Sequence, residues 1–453
     1  MSEPNKKYRY PPRLPLYKFF LKAESIRKNP IPFHRRYFNT YGDTFAVRLG
    51  WQKYLMLSRD KEVVRHILQK NHKNYYKSTI QTKYLSKYLG QGLLTSNGAL
   101  WLKQRRLIQP AFHKEKIDGL ITHMESTILD NLRSVSTDKP IDMFALMNGI
   151  AFKVVANSLF HLSASTSTLE RLQEIIQQIQ LFLVKEVRLP HKAWWFRITG
   201  QVAKHKLLAE ESRAIIRAII EARRKSSETH NDLLDMLMAT TYEDTGQPMS
   251  TRQLIDEISI LFVAGHETTA NALTFTSYLL AAHSDVQDKV LSEIRSVGEV
   301  TTSPLEKIRQ LTYTRAVIDE AMRLYPPAWI TDRENLEDDS FAGFHIRKNT
   351  LVGISFYELH RNPEYWDDPH SFKPERFLDG SKEIVTGSYY PFGAGPRMCI
   401  GMGFAIYEMI LAIAYLVKKY ELSTLQEGIR MNPLITLKPV DVKIKLRKRE
   451  DDK

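Results

Sequence analysis

Cys399 is the single cysteine of 453 residues, and it lies in the stretch PFGAGPRMCIGMGFAIYEMI (391–410) among Gly393, Gly395, Gly401 and Gly403. A lone cysteine is ordinarily a small buried hydrophobe. This one is set differently. Glycines on both sides let backbone approach something bulky and flat, and offer N–H groups to the sulfur. The apolar helical pattern that begins near Gly401 aims its positive end at the thiol, which favours thiolate. A thiolate serves as nucleophile or as metal ligand, and the segment holds no base to serve a nucleophile. Without a second cysteine, zinc and iron–sulfur sites are excluded, which leaves a single thiolate axial to haem iron. The glycines fit neither a dinucleotide nor a phosphate loop, because the third fingerprint glycine and a following Lys-Ser/Thr pair are both missing.

Other segments carry polar residues at telling spacings. Trp101 and Arg105 in WLKQR are four apart, so two donors on one helical face can converge on one carboxylate. AGHETT (264–269) sets an acid–alcohol pair, Glu267 and Thr268, in an apolar helix. Gly265 beside them marks a place for the helix to open to oxygen and water. Glu320 and Arg323 are three apart in a strongly apolar helical stretch, and PERF (374–377) adds Arg376. Singly, each has a plainer reading: a core aromatic, threonines bonded to the preceding turn, an exposed ion pair worth a few tenths of a kcal/mol.

The elements that must position these residues read as mainly α with minor β. Hydrophobic content of 43% and charged content of 26% are those of a globular protein. With no internal repeat or low-complexity linker, the chain divides into an N-terminal extension (1–30) and a single domain (31–453). Residues 44–58 alternate around a glycine-containing turn and predict a hairpin; helical periodicity dominates from about 60 to 300. The stretch 250–283 is apolar on every face after Asp256 and Glu257, with Ser250 and Gln253 as a capping box. Some 30 residues at 1.5 Å each cross about 45 Å. His266 and Glu267 at mid-length argue against a membrane span. Ser303-Pro304-Leu305-Glu306 starts another helix, Pro326-Pro327 ends the following helical region, and strands are expected at 341–355 and 434–447.

The basic, proline-rich N-terminus lacks an apolar run long enough for a signal or spanning helix, so a cytoplasmic chain without a stable membrane anchor is expected. A net charge of +14 suits nucleic acid, an acidic membrane surface or an acidic protein. The cations are scattered and accompany no nucleic-acid motif, so no nucleic acid is expected.

Phe392, Gly395, Arg397, Cys399 and Gly401 fit F-x-x-G-x-R-x-C-x-G, and the segment resembles the haem-binding loop of the cytochrome P-450 monooxygenases, soluble bacterial type. WLKQR, AGHETT, EAMR and PERF resemble further family segments in the family's order, over about residues 30 to 447. The resemblance implies a cytochrome P-450 fold with haem between the long central helix and the cysteine loop. It implies heme b (iron protoporphyrin IX) with Cys399 as axial ligand, contacts from Phe392, Arg397, Gly401 and Ala264, and a propionate held by Trp101 and Arg105. Glu320, Arg323 and Arg376 become a structural triad. Glu267 becomes the proton source and Thr268 the relay of a reaction in which RH, O2, two electrons and two protons give ROH and water. Thiolate ligation favours O–O cleavage over oxygen storage.

Electrons are expected from a separate ferredoxin and ferredoxin reductase. Lys103, Arg106, Lys114 and Lys116 form either a docking face for them or a solvated basic face. The family pattern places Ala328 and Ile330 near a small-molecule substrate, with 79–96 and 181–200 completing the pocket. A fatty-acid-like substrate competes with a methoxylated, sugar-like one stacked on Trp194 and Trp195, and both with a simple anchoring role for those indoles. A non-catalytic haem sensor or carrier is the alternative of another class; it has no use for a proton relay.

Overall fold

The computed structural model describes residues 9–48, 54–137, 139–160, 165–226, 228, 230, 232–300, 304–378 and 387–449. Its axis is the helix Thr251–Ala282, 32 residues long, or about 48 Å at 1.5 Å per residue. Ser250 caps it by accepting from the Gln253 N–H at 3.2 Å. The reciprocal half of the expected box is absent, because the Gln253 side chain donates instead to the Gln91 carbonyl and to Glu257. Helices Met143–Phe160, Gln201–Lys225, Thr312–Leu324 and Met402–Lys419 pack around this axis. That enclosure is why the axial sequence is apolar all round.

Asp256 and Glu257 are both buried. Asp256 accepts from Gln91 N at 2.9 Å and from Arg213 at 2.6 Å, and Glu257 accepts from Leu93 N at 2.9 Å. The two acids thus fasten the 90–93 loop to the central helix. Gly90, at φ +82, is required there, since a Cβ would stand 2.2 Å from the Asp256 carboxyl.

A six-stranded sheet runs in the order Arg13–Leu14, Thr44–Arg48, Tyr54–Ser58, Leu351–Ser355, Ile330–Asn335, Tyr75–Tyr76. The expected hairpin pairs Thr44 with Ser58 through Arg48 with Tyr54, and its turn (49–53) lies outside the described residues. So does Ser303, the expected cap of the helix Pro304–Gln310. Leu14 is buried in the sheet, so the stretch read as an extension (1–30) joins the domain from residue 13. The strand pattern at 434–447 resolves into Leu437–Val440 and Lys443–Lys448, the first paired with Arg430–Pro433. Among the described residues, no helix is long and apolar enough to cross a membrane.

Candidate functional site

A cavity of about 390 Å³ lies between the middle of the central helix and the 391–401 loop, within the range of small-molecule sites. Phe392, Arg397, Cys399, Gly401 and Ala405 line its floor, and Ala264, Gly265 and Thr268 its roof. The loop is held by its own backbone: Cys399 N donates to the Phe392 carbonyl at 2.9 Å and Met398 N to that of Gly395 at 3.0 Å. Gly395 sits at φ +70 with its α-carbon against a neighbouring segment; a Cβ would lie 1.8 Å from the Leu68 carbonyl oxygen. No other residue fits.

The surface of Cys399 opens onto this cavity. Burial by the surrounding protein pushes the thiol up, and the Gly401 N–H and Arg105 oppose this only in part. The N–H at the start of the following helix, that of Gly401, acts in the expected direction, toward thiolate. A metal cation over the sulfur deprotonates such a thiol outright.

Trp101 and Arg105 lie on the helix Gly98–Ile108, and neither lines the cavity. Arg105 donates to the Met398 carbonyl at 2.9 Å and to Gln109 at 3.1 Å, bracing the cysteine loop from behind. The Trp101 ring carries the Arg397 guanidinium 4.1 Å from its centroid. In this arrangement the pair supports the loop and its arginine.

The cations that do face the cavity are Lys77, Arg333 and Arg397, and the first two escaped the sequence reading. Burial, then the nearby Arg397 and Arg333, holds Lys77 well below the usual lysine range. Burial also lowers Arg333 and Arg397, each to about 10. Arg397 is positioned by the Ser96 carbonyl and Asn97, at 3.3 and 3.0 Å. Three basic side chains desolvated by burial around one cavity suit a ligand with two carboxylates. With a lone sulfur on the floor and glycine-lined walls, these residues fit haem.

On the roof, the Thr268 hydroxyl donates to the Ala264 carbonyl at 2.7 Å and that of Thr269 to Gly265 at 2.9 Å. The helix is continuous through Gly265, which packs on Val155, so the expected opening is absent. Glu267 does not line the cavity: Thr436, in the turn between Arg430–Pro433 and Leu437–Val440, donates to its carboxylate at 2.8 Å. Asn271 donates to Thr436 in turn, at 3.1 Å. The acid and the alcohol thus sit adjacent in sequence and point to different partners.

Ala328 and Ile330 line the cavity, as do Gln81 and Leu94 of the 79–96 loop. No residue of 181–200 does, which corrects that part of the pocket. Trp194 and Trp195 are exposed at 60% and 48%, while Phe196 anchors their short helix in the core. The indoles belong to the outer surface.

Glu320 and Arg323 are wholly buried and meet bidentately, at 2.7 and 2.8 Å. Arg323 also donates to the carbonyls of His360, Pro369 and Ser371. Arg376 Nε and Lys373 N complete the Glu320 carboxylate at 3.2 and 3.0 Å. The triad is assembled away from the cavity, with its ion pair fully bonded. Two of the basic-face residues are neutralised locally: Lys103 by Asp244 at 3.0 Å and Arg106 by Glu243 at 3.8 Å. Lys114 and Lys116 remain exposed.

A family model described as Cytochrome P450 matches residues 9–446. The chain is 31% identical over 383 residues to cyclooctat-9-en-7-ol 5-monooxygenase of Streptomyces melanosporofaciens, covering 84% of this chain and 83% of that one. It is 29% identical to Protein LUTEIN DEFICIENT 5, chloroplastic, of Arabidopsis thaliana, covering 90% and 72%. The fold matches retinoic acid bound cyanobacterial CYP120A1 with a TM-score of 0.82 at 24% identity, over 98% of this chain and 100% of that one. On the family match and the first of these relatives, the chain belongs to the cytochrome P450 family and is one of its oxygen-incorporating monooxygenases.

Proposed function

We propose that this monooxygenase inserts one oxygen atom from O2 into an apolar substrate, using heme b bound through Cys399 and electrons from a separate ferredoxin and its reductase in the cytoplasm. The observation that carries the reading is the lone thiol facing a cavity bordered by Lys77, Arg333 and Arg397. The thiolate of Cys399 would ligate the iron and the three cations would pair with the two propionates, with Phe392, Gly401 and Ala264 against the ring. When bound, haem supplies the reductive activation of O2. Arg105 and Trp101 keep the ligand loop and Arg397 in place.

The chain's own part in proton delivery falls to two side chains that must re-pair. The Thr268 hydroxyl spends its proton on Ala264 and presents its lone pairs; rotation about χ1 frees it to donate into the cavity. Glu267 reaches the cavity by exchanging its bond from Thr436. Leu94, Leu261, Ala328 and Ile330 shape a largely apolar substrate space. That favours a fatty-acid-like or other hydrocarbon skeleton over the sugar-like alternative, whose stacking indoles lie outside. Relatives are named for an alcohol, cyclooctat-9-en-7-ol, and for an acid, echinocystic acid, which supports a substrate that carries a polar group. Lys114 and Lys116 are the exposed cations left for an acidic ferredoxin.

The test is turnover under isotopically heavy O2 with ferredoxin and its reductase supplied. One labelled oxygen atom per product is expected. Unlabelled product oxygen, drawn from water instead, or turnover that needs no electron donor, contradicts the proposal.

A further inference from the structure

We infer that Gln81 is the side chain by which this cavity recognises a hydroxyl group on an otherwise apolar substrate, an inference that rests on the reading above. Gln81 lies on the π-helical turn Ile80–Leu85, a geometry that recurs at functional sites, and it lines the cavity. Its Nε2 donates to Asp332 Oδ1 at 3.2 Å. With the amide NH2 set toward Asp332, the Gln81 carbonyl oxygen is turned away from it. Asp332 is itself hydrogen-bonded by Ser78 and sits on a strand paired to its neighbour, opposite Gly353. The Asp332 end of the bond is therefore held by the sheet and by Ser78.

Most other polar side chains on the lining already make at least one bond outside the cavity. Thr268 and Thr269 donate to helix carbonyls. Lys77 donates to the Leu93 and Leu94 carbonyls, at 3.0 and 2.6 Å. Arg333 donates to Thr331 and to the Asp332 carbonyl, and Arg397 to Ser96 and Asn97. Beside the threonine hydroxyls, Gln81 Oε1 is the amide acceptor on this lining, on a wall shared with Leu94, Ala328 and Ile330. An acceptor so placed favours a ligand O–H and penalises a hydrocarbon that leaves it unpaired. The ligand class is an alcohol on an apolar skeleton, its hydroxyl held at Gln81 and its oxidised carbon elsewhere.

The experiment compares matched pairs, cyclododecanol with cyclododecane and 1-dodecanol with dodecane, by equilibrium partition onto haem-loaded wild type, Gln81→Leu and Asp332→Asn. Taking the alcohol-to-hydrocarbon affinity ratio within each protein removes the difference in solubility. For at least one pair the ratio is expected to fall about threefold to tenfold in Gln81→Leu, the size of one neutral hydrogen bond. Asp332→Asn frees the amide to turn either way, so an intermediate ratio is expected. Equal ratios in wild type and Gln81→Leu for both pairs overturn the inference, and so does a wild type that binds neither member of either pair. The haem spectrum separates the two proposals. A ratio that responds to Gln81 in a protein lacking thiolate-ligated haem overturns the monooxygenase reading and leaves Gln81 as the hydroxyl-binding group.

Discussion

The floor and the roof of the cavity are built on opposite plans. The floor and its supports are bonded to segments remote in sequence: Arg397 to Ser96 and Asn97, Arg105 behind the loop to Met398, and, away from the cavity, Glu320 to Lys373 and Arg376. The roof's threonines bond to carbonyls of their own helix, four residues back. A floor of this kind is fixed once the chain has folded, as a metal ligand requires. Roof groups can exchange partners without disturbing the fold, as a group that passes protons must.

The comparison breaks first, and most severely, at the triad. Glu320→Ala leaves Arg323 charged and fully buried, and removal of one partner of such a pair costs about 3–5 kcal/mol. Denaturant unfolding should show this loss together with poor haem loading. A stable, haem-loaded variant that is merely slower would contradict a structural role.

Glu257 sharpens the comparison through pH, since it joins the roof helix to the 90–93 loop. Burial raises its carboxyl from 4.5 to about 7. Between these values the folded chain holds a proton that the unfolded chain has lost, so stability falls as pH rises through that window. The decline is roughly 3 kcal/mol, and Glu257→Gln should flatten it. Parallel stability–pH curves for the two proteins would show that Glu257 titrates normally.

Gly395→Ala probes the floor backbone alone. A Cβ must both adopt φ +70 and clear the Leu68 carbonyl, strain on the order of 1–3 kcal/mol. Thermal unfolding should register it, with weaker haem retention. Unchanged stability would mean the loop adapts.

The smallest stability effect belongs to the roof. Thr268→Ala should change stability by less than about 1 kcal/mol and leave the haem spectrum intact. More of the reductant consumed should then emerge as hydrogen peroxide. Coupling equal to wild type would reduce the hydroxyl to a helix-bonding group. Thr436→Val, which releases Glu267, should alter the rate of turnover with substrate affinity unchanged.

The same contrast explains what was legible in the sequence. The cysteine loop and the Glu320–Arg323 pair are local patterns whose spacing within one segment already fixes their geometry, and the axial helix announces itself by being apolar all round. Lys77 and Arg333 were not legible, because only the tertiary fold brings a pre-helical loop and a sheet strand to one cavity. The alternation that sets Thr331 and Arg333 on one face of the strand was the available hint. Spacing put Trp101 and Arg105 on one face and said nothing of the loop that lies behind them. It was equally silent on the turn carrying Glu243 and Asp244, which pairs with half of the basic face.

The central claim is that Cys399 presents a thiolate to haem iron, and the carbon monoxide adduct of the reduced, haem-loaded protein tests it directly. A strongly red-shifted Soret band is expected, lost in Cys399→His even where that variant retains haem. A wild-type adduct with an ordinary imidazole-type Soret band would contradict the account.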